Sequence, residues 1–540
     1  MKTLYLNGLV YTGRLPLQEA FLVQDERFAS VGTNKELSAL PHDTCVDLGG
    51  RFVCAGFNDS HMHLLGYGLK LSMAQLDQHT ESLSDLLAYL AEYLKNQPPR
   101  AGGWLRGRGW NQDYFQDTSR MPNRRDLDAI STEIPILITR ACGHCCVVNS
   151  RALALAGIDR DTPDPVGGAI GREDGEPDGR LYDNAIELLN EALPLPSPEE
   201  LRDTIRAACA ALNAYGITSV QTDDYCAVRG LSPEAVNAAY RALAERGELT
   251  VRVYEQCNLT TTEDLQRFLD AGHRTGEGDE HFRIGPLKLL GDGALGSRTA
   301  HLTLPYRGSA ERGFSLFSDE HMQAMVSLAH KAGMQVAIHA IGDACLDQVL
   351  GAVEKALADD PRDDHRHGVV HCQISRADQL EKIRALGMQV YAQSVFLDYD
   401  NHIVEKLVDP SLAATSYHWK TLADMGVRVS NGSDAPVEAP DVLRGVECAV
   451  TRRSLDGTGP YLPKEAFSVR EALDSFTLRG AEASFEEQLK GAIRPGLLAD
   501  FVVLAENPFV CAPEKLHAIP VCETYLGGRC VFQRQYRIIR

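Results

Sequence analysis

The chain has no long apolar run. No stretch of about 18 consecutive apolar residues occurs in it, so no transmembrane helix is expected. Positive charge is in short supply: 54 Lys and Arg stand against 74 Asp and Glu, a net charge of −20. That balance argues against a nucleic-acid surface, and it identifies no substrate, because net charge mostly concerns solubility. Low-complexity tracts and internal repeats are also missing. The opening MKTLYLNGLVYTGRLPLQEA alternates apolar and polar residues, and no apolar segment follows its lysine. A signal peptide is therefore not expected, and the cytoplasm is the expected location.

What is present is enough apolar material for a large core, 44% of the residues. A length of 540 exceeds one ordinary domain, but a barrel with insertions reaches it as a single architecture. The first fifty residues read as short alternating strands with Asn-Gly and Gly-Gly turns, and "ADFVVLAEN" and "CETYLGGRCVFQ" near the end read alike. Residues 1–50 and 490–540 are thus expected to build one small β-sandwich from both termini.

Between these ends short apolar strands alternate with amphipathic helical patterns. Strands are expected at 51–57, 216–224, 249–256, 282–290, 334–340, 367–373, 388–395 and 427–434. Eight strands in such an alternation predict an α/β fold, a (β/α)8 TIM-like barrel over 51–489. The first interval, from 51 to 216, is far longer than the others, so an insertion over about 70–200 is expected to form a cap after strand 1.

The 14 cysteines are scattered, mostly in apolar runs, and read as small buried hydrophobes. One cluster differs. Cys142-Gly143-His144-Cys145 lies between the apolar "IPILIT" and the helical "SRALALAGI". A C-x-x-C between strand and helix admits a thiol-disulfide oxidoreductase.

The chemistry collects elsewhere, at the C-terminal ends of the barrel strands, where barrels of this kind place their active sites. His61 and His63 follow strand 1, two residues apart and on one side. Strand 4 carries Lys288, strand 5 ends in His339, strand 6 in His371 and strand 8 in Asp434. Any one of these serves equally well as a hydrogen-bonded wall residue. Four histidines and an aspartate at barrel strand ends point instead to a metal site. Imidazole and carboxylate ligands favour Zn²⁺, with Fe, Mn, Co or Ni as alternatives.

With these residues in place, the sequence resembles the amidohydrolase superfamily of metal-dependent hydrolases over nearly its whole length. "FVCAGFNDSHMHL" resembles the opening P-G-F-x-D-x-H-x-H signature, with Ala55 where proline is usual, and "GAIRPGLLADFVVL" resembles the closing segment. Within the superfamily it is similar to the branch of YtcJ-like proteins and N-substituted formamide deformylases. "GGWLRGRGWNQ", "GHCCVVNSRALALAGI", "KLLGDGALGSRTA", "IHAIGDACLD" and "NGSDAPVEAP" carry that match. His144, Asn149 and Ser150 fit the branch's G-H-x-x-x-x-N-S-x-A-L segment, whereas Cys142 and Cys145 do not belong to it.

The resemblance implies a site. His61, His63 and Asp434 would hold the more buried of two divalent metals, and His339 and His371 the outer one. Lys288, deprotonated under burial and nearby positive charge, would bridge them as a carbamate; the alternative is an unmodified lysine beside one metal. A metal-held water becomes the hydroxide that attacks a carbonyl carbon, and Asp434 takes the proton and passes it to the leaving nitrogen. The implied reaction is hydrolysis of a C–N bond in an N-substituted amide, such as an N-formyl or N-acyl amine. A deaminase of the same superfamily, acting on an amino-heterocycle with one metal, is the alternative, and a non-catalytic protein on the same fold is a further one. Substrate contacts are sought at His144, Arg298, Trp110 and Asp292; Trp104, Tyr114 and Phe115 accompany Trp110 either as a pocket or as the insertion's own core. The expected partner is a small molecule, without nucleic acid or membrane, and a homodimer is the assembly considered.

Overall fold

In the computed structural model, residues 1–100, 102–141 and 144–535 are described. The chain divides into two compact units. One comprises Met1–Gly66, Ile205–Ala227 and Ser232 onward; the other comprises Tyr67–Thr204 with Val228–Leu231.

The first unit holds the barrel. Its strands are β1 (Phe57–Met62), β2 (Ile217–Thr222), β3 (Arg252–Asn258), β4 (Phe282–Leu290), β5 (Val336–Ala340), β6 (Gly368–His371), β7 (Gln389–Ala392) and β8 (Val429–Asn431). They pair in that order, all parallel. Both faces of a parallel sheet are buried, which is why these segments read as nearly continuous apolar runs. The seam between β8 and β1 closes at its C-terminal end, where Asp434 N–H donates to the His61 carbonyl (2.8 Å) and His63 N–H to that of Ala435 (2.7 Å). Gly432 permits this approach: a Cβ there would lie 2.5 Å from the His61 nitrogen.

The same unit contains the sandwich. One sheet orders Arg27–Gly32, Ala20–Gln24, Lys2–Leu6 and Thr44–Asp47; the other orders Leu9–Val10, Phe52–Ala55, Phe501–Leu504, Val521–Leu526 and Arg529–Gln533. Tyr5, Phe21 and Phe28 from the first sheet pack against Val53, Phe501 and Val503 from the second. The run 51–57, expected as the first barrel strand, is divided. Phe52–Ala55 pairs with Phe501–Leu504 in the sandwich, and the barrel begins only at Phe57. Gly56 is the break point, because a Cβ there would fall 2.2 Å from Thr218 Oγ1.

The insertion unit has its own six-stranded sheet, ordered Gly168–Glu173, Glu176–Asp183, Cys145–Val148, Ile136–Arg140, Leu105–Trp110 and Ala74–Gln75. Here Cys145 opens a strand that returns antiparallel to Ile136–Arg140, so a second strand, not a helix, follows the turn. The strand–C-x-x-C–helix setting of a redox motif is therefore not what this segment forms. The thiol of Cys145 is buried, and Cys142 lies outside the described residues. Asn149 caps the helix Ser150–Leu155 through the Ala152 N–H (3.0 Å). It also accepts from Ile136 N–H and donates to the Ser131 and Ile134 carbonyls, so its amide ties strand, helix and loop together.

At the N-terminal end of β5 and β6, three histidines form a neutral wire. His367 Nδ1 accepts the Val336 N–H (3.0 Å), so its Nε2–H donates to His330 Nδ1 (2.9 Å). His330 Nε2–H in turn donates to the Asp360 carbonyl (2.6 Å). His365 Nδ1 accepts the His367 N–H and its Nε2–H donates to the Leu386 carbonyl. Burial, then the neighbouring His365, holds His367 well below its ordinary value of 6.5. A depressed histidine contributes stability that is present above about pH 6.5 and is lost as pH falls below it. His367→Gln removes that titration. The stability gap between wild type and variant is therefore expected to shift against wild type by about 1 kcal/mol between pH 6.5 and 5.5. Urea unfolding at both pH values measures it, and an unchanged gap refutes the assignment.

Candidate metal centre

Four imidazoles line up at the C-terminal end of the barrel. His61 sits inside β1 and is fully buried, and His63 lies one residue past the strand. His339 is the fourth residue of β5 and His371 the last of β6. Ring centroids run 5.3 Å from His63 to His61, 5.5 Å from His61 to His371 and 4.4 Å from His371 to His339. Asp434, expected at the end of strand 8, lies three residues beyond β8. Its Oδ1 is 3.0 Å from His63 Nε2 and 3.4 Å from His61 Nε2. Ligand atoms of His61, His371 and Asp434 all fall within 4.8 Å of one another.

The backbone is strained where it delivers two of these groups. His371 has φ of 76° and Asp434 has φ of 58°. Left-handed conformations of this kind cost about 1–3 kcal/mol each and persist only where the surroundings hold them. The Trp419 indole N–H donates to the His371 carbonyl (2.9 Å), and the Asp434 N–H is tied to β1 as described. Asp59, buried under the seam, accepts from Ser433 N–H and Oγ–H. Burial pushes its carboxyl up to about 7.

Hydrogen bonds fix which ring nitrogens face the centre. His63 Nδ1 lies 3.1 Å from the Asp223 carbonyl, an acceptor only, so Nδ1 carries a hydrogen and Nε2 is the atom turned to the centre. His61 Nδ1 lies 2.7 Å from Gln256 Oε1 and His371 Nδ1 2.7 Å from Gln393 Oε1. His339 is turned the other way: Nε2 faces the Gly293 carbonyl (3.2 Å) and Asp292 Oδ1 (3.3 Å), leaving Nδ1 as its donor atom. His61 Nε2, His63 Nε2 and Asp434 Oδ1 thus converge, an arrangement held together by positive charge, either a proton or a cation.

In the cluster by itself a proton on His63 supplies that charge. Burial, with the charge of Lys288, lowers His61 to about 4. Burial and His339 hold His371 well below 6.5. Burial also opposes charge on His63, but Asp434 and Asp223 outweigh it and lift His63 to about 9. Burial alone would raise Asp434, yet His61 and His63 hold its carboxyl well below 3.8. A divalent cation would take the place of the proton that His63 shares with Asp434, leaving neutral imidazoles beside an ionised carboxylate. The donor set of nitrogen and oxygen atoms fits such an ion.

Lys288 is completely buried in β4, and its Nζ lies 3.4 Å from Asp223 Oδ2. Asp223, just past β2, also meets the Asn258 amide (3.3 Å) and was not singled out in the sequence. The sought substrate contacts divide. Asp292 is taken up by the N–H groups of His301, Ile341 and Gly342, so it pins two loops and backs His339 instead of facing substrate. Trp110 is a correction: it is fully buried in the insertion's own core and donates its indole N–H to the Ile138 carbonyl. Trp104 and Phe115 likewise pack into the insertion's apolar clusters, and Tyr114 is exposed. Arg298 is exposed on the loop after β4. His144 is exposed within the insertion unit and pairs with Asp183 at 3.0 Å.

Known proteins match over nearly the whole chain. The profile of the amidohydrolase family covers residues 44–532. YtcJ of Bacillus subtilis (strain 168) is 32% identical, over 99% of this chain and 100% of its own. The N-substituted formamide deformylase of Arthrobacter pascens is 28% identical, over 96% and 95%. The crystal structure of an uncharacterized metal-dependent hydrolase from Pyrococcus horikoshii superposes with a TM-score of 0.79 at 26% identity, over 95% of this chain and 99% of that one.

Proposed function

The chain belongs to the amidohydrolase family, and from that premise we propose that this metal-dependent hydrolase cleaves the C–N bond of an N-substituted amide, an N-formyl or N-acyl amine. The observation that carries the reading is the convergence of His61 Nε2, His63 Nε2 and Asp434 Oδ1. We assign His61, His63, His339, His371 and Asp434 as ligands of divalent cations, Zn²⁺ being the preferred ion for this donor set. Lys288, once carboxylated, would supply an anionic oxygen donor to these cations in place of its contact with Asp223. When bound, such ions polarise a carbonyl oxygen and acidify a water toward neutrality.

The remaining steps fall to the chain's own groups. The Asp434 carboxylate accepts the proton of the water that attacks the carbonyl carbon and delivers it to the amide nitrogen, which leaves as the amine when the C–N bond breaks. Its carboxyl stays ionised at neutral pH because His61 and His63 hold it low. The choice of an N-formyl or N-acyl amine over other amides draws on the named deformylase relative.

Two measurements test the reading. Metal analysis of the purified protein is expected to find two divalent ions per chain; one ion favours a single-metal centre with unmodified Lys288. A screen of the metal-replete protein is expected to release free amine from N-formyl or N-acyl amines. Ammonia from an amino-heterocycle, with every amide untouched, would overturn the amide reading in favour of a deaminase.

A further inference from the structure

Two glutamines stand behind the centre on opposite sides of the barrel. Gln256 lies in β3 and Gln393 follows β7, and both are fully buried. Each amide is clamped from its far side. Gln256 Nε2 donates to the Ser60 carbonyl (3.3 Å), and Gln393 Nε2 donates to that of Tyr391 (2.9 Å). A carbonyl accepts only, so the NH₂ ends must point there and the Oε1 ends must face the histidines. An amide oxygen accepts only as well. Nδ1 of His61 and of His371 therefore carries the hydrogen, at 2.7 Å in both cases. The tautomer of each ring follows from a chain of three partners, with no freedom left to flip.

We propose that Gln256 and Gln393 are positioning residues that lock His61 and His371 as Nε2 ligands, and that their neutral amides keep the centre more electrophilic than carboxylate partners would. A histidine held by a carboxylate becomes a more basic ligand and passes more electron density to its ion. An amide fixes the same orientation without adding negative charge. The set already includes the Asp434 carboxylate, and Asp223 lies beside Lys288. Two further carboxylates behind the rings would deepen the negative charge and weaken the pull on a substrate carbonyl. His339 differs, because the carboxylate of Asp292 lies 3.3 Å from its Nε2. The inference thus assigns amide-backed rings to His61 and His371 and a carboxylate-backed ring to His339.

The inference rests on the reading of this cluster as a metal centre, and the experiment separates the two. Zn²⁺ content is measured for wild type, Gln393→Leu, Gln393→Glu and Gln256→Leu during competition with a graded series of chelator concentrations. Circular dichroism identifies the folded variants. Gln393→Leu and Gln256→Leu are each expected to lower Zn²⁺ affinity about 10- to 100-fold, the scale of a lost outer partner. Gln393→Glu is expected to recover the affinity while lowering kcat and moving the acid limb of the kcat/KM profile to higher pH. Zn²⁺ affinity within twofold of wild type in a folded leucine variant overturns the proposal. So does a glutamate variant whose pH profile matches wild type. Should one leucine variant not fold, the other and Gln393→Glu still decide. If wild type itself binds no divalent ion, the metal reading falls and the inference falls with it.

Discussion

Asp434→Asn is expected to lower kcat by a factor of about 10² or more with KM little changed, the scale of a lost general acid–base group. The substitution keeps the side chain's shape and one oxygen toward His63, 3.0 Å away in the native protein. What it removes is the negative charge and the ability to hold a transferred proton. An amine is a poor leaving group, so amide cleavage depends on protonation of nitrogen more than ester cleavage does. Chelation of the native protein is expected to abolish activity and added Zn²⁺ to restore it. Metal content must accompany the kinetics, because Asp434 is also assigned as a ligand. A variant that keeps its metal and loses kcat locates the defect in proton transfer. One that keeps both metal and kcat within tenfold removes Asp434 from the chemistry.

The barrel was legible because parallel strands covered on both faces leave an unmistakable apolar rhythm, and because ligands recur at their C-terminal ends. The boundary at Gly56 was not. "RFVCAGF" is one unbroken apolar run, and nothing local says that four of its residues pair with Phe501–Leu504, some 450 residues later. The glutamines were hidden for the same reason. Gln256 is separated by 195 positions from His61, so a polar residue in a buried strand acquires meaning only when the barrel closes. Asp223 stood in plain sight at the end of β2, but a carboxylate there, without a histidine on the same strand, reads as readily as a hydrogen-bonded wall residue. Trp110 shows the converse: an aromatic in an insertion invites a pocket, and the insertion needed it for its own core.

Asp500→Ala is expected to cost about 3–5 kcal/mol of stability, more than a typical core truncation of similar size. Asp500 stands at the start of the sandwich strand Phe501–Leu504, and Arg252 opens β3 of the barrel. Their side chains meet through two hydrogen bonds, 2.6 and 3.0 Å, with 2% and 4% exposure. Arg252 also donates to the Glu280 carbonyl, and Asp500 accepts from Gly527 N–H. Burial opposes the guanidinium charge, and Asp500 more than compensates, so Arg252 stays firmly protonated. Removing the carboxylate leaves that charge buried without its ion-pair partner, with the Glu280 carbonyl and the weaker influence of Glu280 and Glu486 remaining. Replacing the pair by Arg252→Met and Asp500→Leu together removes the charge as well as its partner. The double variant is therefore expected to be more stable than Asp500→Ala, although it deletes more interactions. Urea midpoints of the three proteins test the order. A loss below about 1 kcal/mol in Asp500→Ala, or a double variant less stable than the single one, would show that the pair's contribution is packing and not the pairing of a buried charge.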